Sequence, residues 1–245
     1  CPEMNLLWIP ASSVLKRADF VFPIRDSLGR KAIAAGARSD KVRVIPNGFY
    51  FRPLRRTDGT SIRQRFGIQD GQRVISFVGR LSIENYIDDV IEAVRSVVSR
   101  RRDIAVIIAG GGHEFDRILA VVESDSVLRD VVYLPGFLSH DDACALRVIS
   151  DVSLCLMAGF SLIEACAAER PVVSYDVEWH YELVKNNQTG FLIPEHDVNG
   201  AVEALDWLLD RPEESEEMGK KAKALAFEHH DLKSTSKIKI MCYSE

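Results

Sequence analysis

The sequence predicts an α/β fold with a doubly wound parallel sheet, and two patterns lead to that prediction. Short apolar runs alternate along the chain with longer amphipathic runs, which is the order of strands and helices in such folds. Several of the short runs are apolar throughout, as expected of strands that helices cover on both faces. The predicted strands are residues 18–24, 41–46, 73–79, 103–110, 131–136, 152–157, 171–176 and 190–194.

The helices are predicted from apolar residues that recur every three or four positions. The clearest stripe, within residues 87–100, consists of Ile87, Val90, Ile91, Val94, Val97 and Val98. Further helices are predicted near residues 25–36, 113–124, 140–149, 161–169, 178–186, 197–210 and 212–230, and a terminal helix is predicted to begin in LKSTSKIKIMCYSE.

Composition and charge restrict the class of protein. The 245 residues, 47% of them apolar, suffice for one large domain or for one domain with part of another. No apolar run reaches the roughly 18 residues that a membrane helix needs. The net charge is −5, yet residues 1–70 carry 13 basic and 6 acidic side chains. That segment is either an ordinary solvated surface or a face that binds an anionic substrate or an anionic lipid surface. The sequence has no basic stripe interleaved with aromatic residues, so it does not indicate nucleic-acid binding.

Cysteine and histidine spacing argues against disulfides and metal sites. The five cysteines are Cys1, Cys144, Cys155, Cys166 and Cys242. Their odd number and the lack of a CxxC pair favour reduced, buried thiols in a cytosolic protein. The six histidines show no metal-ligand spacing, so no metal is predicted.

The turns that follow the strands are the candidate ligand sites, because ligands of open parallel sheets lie beyond the carboxyl ends of the strands. In GRLSIENY, Arg80 follows a buried strand. Its guanidinium either points a bidentate donor into the crevice, which suits a diphosphate, or forms a surface ion pair with Glu84 or Asp88. In GGGHEF, residue 115 is Phe where a dinucleotide fingerprint needs glycine, so a tight turn is favoured over a cofactor site.

The stretch GFSLIE, residues 159–164, has two interpretations. Ser161 and Glu164 form the S-x-x-E pattern of a capping box, which needs no ligand. Alternatively, Gly159 lets a ligand approach the backbone, and the amides of Leu162 and Ile163 bind phosphate at a helix N-terminus. Glu164 would then accept hydrogen bonds from hydroxyl groups of a ribose or a sugar.

Taken in order, these segments resemble the C-terminal part of a retaining glycosyltransferase of family 4 with the GT-B fold, over nearly the whole chain. The matching stretches include ADFVFPIRDSLGRKAIAAGARSDKVRVIPNGF, FVGRLSIENYIDDVIEAV, AVIIAGGGHEFDRI, VVYLPGFLSHDDACALRVISDVSLCLM and GFSLIEACAAERPVVSYDVEWHYELVKNNQTGFLIPEHD. The resemblance implies a Rossmann-like half of that fold. Residues 1–50 would be a remnant of the N-terminal acceptor domain with the crossover, and residues 51–245 the domain that binds a nucleotide-sugar donor.

The resemblance also implies roles for single residues. Arg80 and Glu164 are the expected catalytic residues, with Arg80 on the donor diphosphate and Glu164 on the ribose hydroxyls. The segment from Gly136 to Leu138 would flank the base. The whole expected donor-binding set is Gly79, Arg80, Asn85, Gly136, Phe137, Leu138, Gly159, Phe160, Ser161, Leu162, Ile163 and Glu164.

The family further implies a UDP- or GDP-linked sugar donor, no other cofactor, no metal, and a saccharide or lipid-linked acceptor. The expected setting is cytoplasmic polysaccharide or glycolipid synthesis with peripheral contact to a membrane. Most of the N-terminal acceptor-binding domain is expected to lie outside this chain. The chain alone is therefore expected not to transfer sugar at a normal rate.

Two positions depart from the family pattern and support an alternative. Asn85 stands where the family has a lysine, and Ala158 stands where it has the first of two glutamates. The loop from Phe160 to Glu164 is also two residues shorter than usual. These departures favour a degenerate, non-catalytic relative that binds a nucleotide or a partner chain.

Overall fold

The computed structural model describes residues 4–51 and 60–243. The strands are β1 (Arg73–Val78), β2 (Ile104–Ala109), β3 (Val132–Gly136), β4 (Val152–Leu154), β5 (Val172–Tyr175) and β6 (Gly190–Ile193). The helices are α1 (Met4–Arg17), α2 (Asp26–Ala34), α3 (Thr60–Arg65), α4 (Ile87–Arg100), α5 (Phe115–Ser124), α6 (His140–Ile149), α7 (Phe160–Ala167), α8 (Val198–Asp210), α9 (Pro212–His230) and α10 (Leu232–Tyr243). In the described part of the chain, no helix is both long and apolar enough to cross a bilayer.

The strands form one parallel sheet in the order β3-β2-β1-β4-β5-β6, which confirms the predicted fold class. The chain moves outward from β1 to β3, then returns to the other side of β1 with β4. The strand order therefore reverses between β1 and β4, and such a switch point opens a crevice beyond the carboxyl ends of the two strands. The turn that carries Arg80 follows β1, and the turn that carries Gly159 follows β4.

Helices cover both faces of the sheet, as the apolar strands predicted. The predicted stripe of α4 is buried, and α4 packs against α8 on one face. On the other face a second cluster includes Ile62 of α3, Val74 and Ile107 of the sheet, and Leu146 of α6. Four cysteines, Cys144, Cys155, Cys166 and Cys242, are free and buried, and burial raises the pKa of the Cys144 thiol to about 11.

The described residues divide into two compact units, one of residues 4–50 with 228–243 and one of residues 51 and 60–227. The sheet lies in the second unit. The first contains α1, α2 and α10. The assignment of residues 1–50 to an acceptor domain and of residues 51–245 to a donor domain stays a prediction.

The two strands predicted in the first unit, residues 18–24 and 41–46, are wrong. The segments pair only through an isolated parallel bridge between Val21 and Val42. The amide of Ile45 donates to the carbonyl of Pro23 at 2.9 Å. Since Pro23 has no N–H of its own, it cannot return a hydrogen bond to the neighbouring segment, and the ladder does not extend.

The helix predicted over residues 178–186 is also wrong, because only a 3₁₀ turn, His180–Glu182, forms there. Glu178 has a φ of +49°, so this first residue of the predicted span cannot belong to a right-handed helix. The short helix α3 was not predicted, since its six residues carry a single buried apolar side chain, Ile62, and therefore no stripe.

Candidate functional site

Hydrogen bonds that continue past the ends of the strands hold three turns of the crevice side by side. The amide of Gly79 donates to the carbonyl of Ala109 at 3.0 Å, and the amide of Leu81 donates to that of Gly111 at 2.9 Å. The amide of Gly110 donates to the carbonyl of Gly136 at 2.8 Å. The turns that follow β1, β2 and β3 therefore form one continuous backbone surface.

Two glycines of GGGHEF allow this close approach. A Cβ atom at Gly110 would lie 1.8 Å from the carbonyl oxygen of Gly79, and one at Gly112 would lie 2.1 Å from that of Leu81. Both glycines also have positive φ angles, +138° and +157°. The glycines thus serve the packing of one turn on another, which agrees with the tight-turn interpretation.

These turns line a pocket of about 320 Å³, formed by residues 78–80, 109–112, 137–138 and 143. Gly79, Arg80, Phe137 and Leu138 of the expected donor-binding set lie in its wall. The ring of Phe137 is 84% exposed and stands close over Gly111, where a Cβ atom would come within 2.5 Å of the ring. The pocket therefore combines a floor of glycine backbone with an exposed aromatic face.

Arg80 lies at the rim of the pocket with an exposed side chain. Neither predicted ion pair forms, because Asp88 pairs with Arg117 at 2.8 Å and Glu84 lies beyond salt-bridge distance of Arg80. The pKa of the Glu84 carboxyl lies below its ordinary value, chiefly because the backbone amide of Glu84 and the Ser82 hydroxyl donate hydrogen bonds to it. The charge of Arg80 lowers this pKa to a lesser degree. Among residues 4–51 and 60–243, the Arg80 guanidinium makes no hydrogen bond or ion pair, so its donors face solvent.

The turn between Arg80 and α4 is held by several contacts. The side-chain amide of Asn85 donates to the carbonyl of Arg80 at 2.8 Å. The next residue, Tyr86, adopts a left-handed φ of +56°, a strained conformation for an aromatic residue. Its ring packs edge-on against Tyr175 and His196, and its hydroxyl donates to Glu195. These contacts keep the backbone of Arg80 in place.

The capping box predicted at Ser161 and Glu164 is absent. Helix α7 begins at Phe160 with Gly159 as its N-cap and no side-chain cap. The hydroxyl of Ser161 donates instead to the carbonyl of Val78, at the end of β1. The box fails because Ser161 already lies inside the helix, where its hydroxyl is free to bond a neighbouring strand.

The start of α7 carries further backbone donors besides the amides of Leu162 and Ile163, which were expected to bind phosphate. The amide of Leu162 donates to the carbonyl of Gly159 at 3.2 Å, and Leu162 and Ile163 are both buried. Within the described residues, the amides of Phe160 and Ser161 have no hydrogen-bond partner. Unsatisfied amides in a first helical turn attract anions, in line with the helix dipole.

Glu164 forms a largely buried ion pair that sequence reasoning missed. Its Oε2 lies 2.5 Å from Nη2 of Arg147 on α6, and the two side chains are only 14% and 4% exposed. The same Nη2 also donates to the hydroxyl of Ser161 at 3.1 Å. The other oxygen, Oε1, lies 4.0 Å from Nδ1 of His140. The signal that could have identified Arg147 was a charged residue on the apolar side of a predicted helix, next to Leu146.

His180 fixes the loop before α7. It is fully buried, with Nδ1 at 2.6 Å from the hydroxyl of Ser174 and Nε2 at 2.9 Å from the carbonyl of Ala158. The imidazole therefore ties the end of β5 to the residue that precedes Gly159. Across the ranges that the structure covers, no group of three His, Cys, Asp or Glu side chains could hold a metal ion.

Comparisons with known proteins identify relatives of this arrangement. The family model described as "Glycosyl transferases group 1" matches residues 58–225. The alpha-D-kanosaminyltransferase of Streptomyces kanamyceticus is 26% identical over 212 residues, which are 85% of this chain and 54% of that protein. The N-acetyl-alpha-D-glucosaminyl L-malate synthase of Bacillus anthracis is 23% identical over 87% of this chain and 56% of that protein. The chain thus spans about half of the length of these two relatives.

Solved structures share the fold at lower identity. The Anabaena protein Alr3699/HepE, solved in complex with UDP, has a TM-score of 0.87 and 21% identity over 100% of this chain and 70% of that one. Sucrose-phosphate synthase from Thermosynechococcus elongatus has a TM-score of 0.84 and 19% identity over 98% of this chain and 61% of that one. At these identities the structures establish a common fold and no more.

Proposed function

Because the chain belongs to the family of group 1 glycosyl transferases, we propose that it binds the nucleotide-sugar donor of a sugar transfer. The donor is UDP- or GDP-linked, and the sugar passes to a saccharide or lipid-linked acceptor with retention at the anomeric carbon, as in glycosyltransferase family 4. The acceptor is held by an N-terminal domain, of which residues 1–50 are a part. The reaction takes place in the cytoplasm, with peripheral contact to a membrane.

The observation that carries this proposal is the solvent-facing guanidinium of Arg80 at the rim of a glycine-floored pocket. A cation whose donors are not used within the protein can bind a diphosphate without breaking an internal ion pair. The unpaired amides of Phe160 and Ser161 supply further donors at the start of α7. These groups would stabilise the charge that develops on the departing nucleoside diphosphate, as fixed dipoles and cations do in other sites.

The remaining parts of the donor fit the same edge of the sheet. Phe137 offers an aromatic face to a base, and the pocket is closed behind it by the glycine turns. Glu164 accepts hydrogen bonds from the ribose hydroxyls, since its Oε1 is not hydrogen-bonded to any described residue. The proposal therefore assigns diphosphate, base and ribose to three separate groups of residues.

Calorimetric titration with UDP, GDP and ADP tests this function. We expect micromolar binding of at least one of them and a loss of that binding in Arg80→Ala and in Glu164→Ala. Arg129→Ala is the matched control, because Arg129 is an exposed arginine on a surface loop away from the pocket. If none of the three nucleotides binds to the wild-type chain, the proposal is wrong.

A second candidate, a non-catalytic relative that binds a nucleotide or a partner chain, is favoured by Asn85 and Ala158. Here the turn after β1 lacks a second cation, and the loop before α7 offers a methyl group where a carboxylate could address a sugar. The two candidates differ in their affinity for an intact donor. A donor site should bind at least one UDP- or GDP-linked sugar with an affinity close to that of its nucleoside diphosphate, whereas a site without a place for the sugar should bind every such donor more weakly.

A further inference from the structure

We propose that Arg147 is a positioning residue for donor binding: its buried guanidinium orients Glu164 and Ser161, so that the free oxygen of Glu164 meets the ribose hydroxyls of a nucleoside diphosphate. This inference rests on the proposed function, because it names how one residue of that site is held. Arg147 itself does not touch the ligand.

One nitrogen atom of Arg147 contacts two residues of the proposed donor site. Nη2 lies 2.5 Å from Oε2 of Glu164 and 3.1 Å from the hydroxyl of Ser161. Ser161 in turn donates to the carbonyl of Val78, two residues before Arg80. The guanidinium therefore connects α6, α7 and the end of β1, which are the elements that surround the crevice.

The contacts leave the two carboxylate oxygens of Glu164 in different situations. Oε2 is engaged by Arg147, whereas Oε1 lies 4.0 Å from Nδ1 of His140, beyond hydrogen-bonding distance. Within the described ranges, Oε1 has no hydrogen-bond donor. A carboxylate oxygen keeps about two acceptor positions when it is unbonded, which is the number that the two hydroxyls of a ribose require.

Burial indicates that the pair does more than join two helices. The Arg147 side chain is 4% exposed, so its charge has been taken out of water. Apolar side chains of similar volume commonly pack two helices at least as stably as a buried ion pair does. What an apolar pair cannot provide is a fixed direction for a carboxylate, and this is the property that hydroxyl recognition needs.

The test compares each ribonucleotide with its 2′-deoxy form, UDP with 2′-deoxy-UDP and GDP with 2′-deoxy-GDP. We expect the wild-type chain to bind the ribose form about tenfold more tightly, as loss of one hydrogen bond to a charged group predicts. In Arg147→Met, a misdirected carboxylate should reduce this preference to about twofold or less. Arg147→Lys keeps the charge without the planar fork and should retain part of the preference.

Arg101→Met is the matched control for a general loss of stability. Arg101 is 19% exposed and bonds Asp210 at 2.6 Å. It lies just before β2, at the amino ends of the strands, whereas the crevice lies at their carboxyl ends. This variant should lower the melting temperature and leave the preference for ribose unchanged. If Arg147→Met does not fold, the test is the ribose preference of Arg147→Lys, which should fall below that of the wild-type chain.

Each outcome counts for or against the role of Arg147. The inference is overturned by a ribose preference that stays at the wild-type level in Arg147→Met and Arg147→Lys, that falls equally in Arg101→Met, or that is missing from the wild-type chain. These results differ from a failure of the proposed function, which would show as no binding of any nucleoside diphosphate to the wild-type chain.

Discussion

Arg80 and Glu164 follow neighbouring strands of the same sheet, yet their surroundings differ in two respects. Arg80 is exposed and has no ion pair within the part of the chain that the structure describes, whereas Glu164 is largely buried and paired with Arg147. The turn of Arg80 is held through its backbone, by Asn85 and by the contacts of Tyr86. Glu164 is held through its side chain.

The difference separates two ways of preparing a charged residue for a ligand. An exposed cation costs the fold little, because water solvates it until a ligand arrives. A buried carboxylate must have a partner, because an unpaired charge in the interior is strongly destabilising. Substitutions at Arg80 should therefore change binding, and substitutions at Glu164 should change both binding and stability.

The largest effect is expected from Glu164→Leu. The substitution leaves the guanidinium of Arg147 buried without its partner, which typically costs about 3–5 kcal/mol. Urea unfolding would measure the loss. As a control, Asp206→Ala removes the exposed ion pair with Arg100 and should cost less than about 1 kcal/mol. A loss in Glu164→Leu as small as that of the control would contradict the contrast between the two residues.

The next effect concerns Arg80→Ala. Loss of a charge-assisted contact to the diphosphate should weaken the binding of UDP by about 10- to 100-fold, corresponding to about 1.5–3 kcal/mol. The free energy of unfolding should stay within about 0.5 kcal/mol of the wild-type value, because the side chain contacts solvent. On the same preparations, calorimetry measures the affinity for UDP and urea unfolding measures the free energy of unfolding. If Arg80→Ala loses stability but binds UDP with wild-type affinity, Arg80 supports the fold and does not bind the diphosphate.

A smaller effect, in the opposite direction, is expected from Asn85→Lys. The substitution adds a cation to the turn that follows β1 and should tighten UDP binding by about tenfold, close to 1.4 kcal/mol. Asn85→Met is the control, since it also removes the hydrogen bond to the Arg80 carbonyl but adds no charge. An unchanged affinity in Asn85→Lys would place the diphosphate elsewhere than at this turn.

The smallest effect is expected from Phe137→Ala. The ring is 84% exposed, so its removal should leave stability nearly unchanged. Loss of a stacking partner for the base should weaken UDP binding by about three- to tenfold, in keeping with about 0.5–1.5 kcal/mol for an aromatic pair. Val121→Ala, at a partly exposed position on α5, serves as the control in the same titration.

Much of the fold could be predicted because it depends on local periodicity. The stripe of residues 87–100 predicted α4 with the bounds that it has, and the continuously apolar runs predicted all the strands of the sheet to within a few residues. The failures have local causes too. Pro23 interrupts a ladder, and the positive φ of Glu178 keeps that residue out of a helix.

The candidate site was predictable in part. Because ligands of parallel sheets lie beyond the strand ends, the sequence alone pointed to the turns of Arg80, Phe137 and Gly159. It also offered two interpretations of Ser161 and Glu164, a cap or a ligand site. The cap was wrong, because the capping pattern is satisfied only when Ser161 precedes the helix, and the helix begins one residue earlier.

The sequence by itself determined the α/β class, the order along the chain of the six strands of the sheet, and the turns at the carboxyl edge of the sheet. Only the tertiary structure decided which side chains meet there. Arg147 reaches Glu164 from another helix, and Ser161 bonds Val78 on a strand 83 residues away in sequence. Local periodicity specifies where an element lies and which of its faces is buried, whereas a buried charge finds its partner only when packed elements bring the two together.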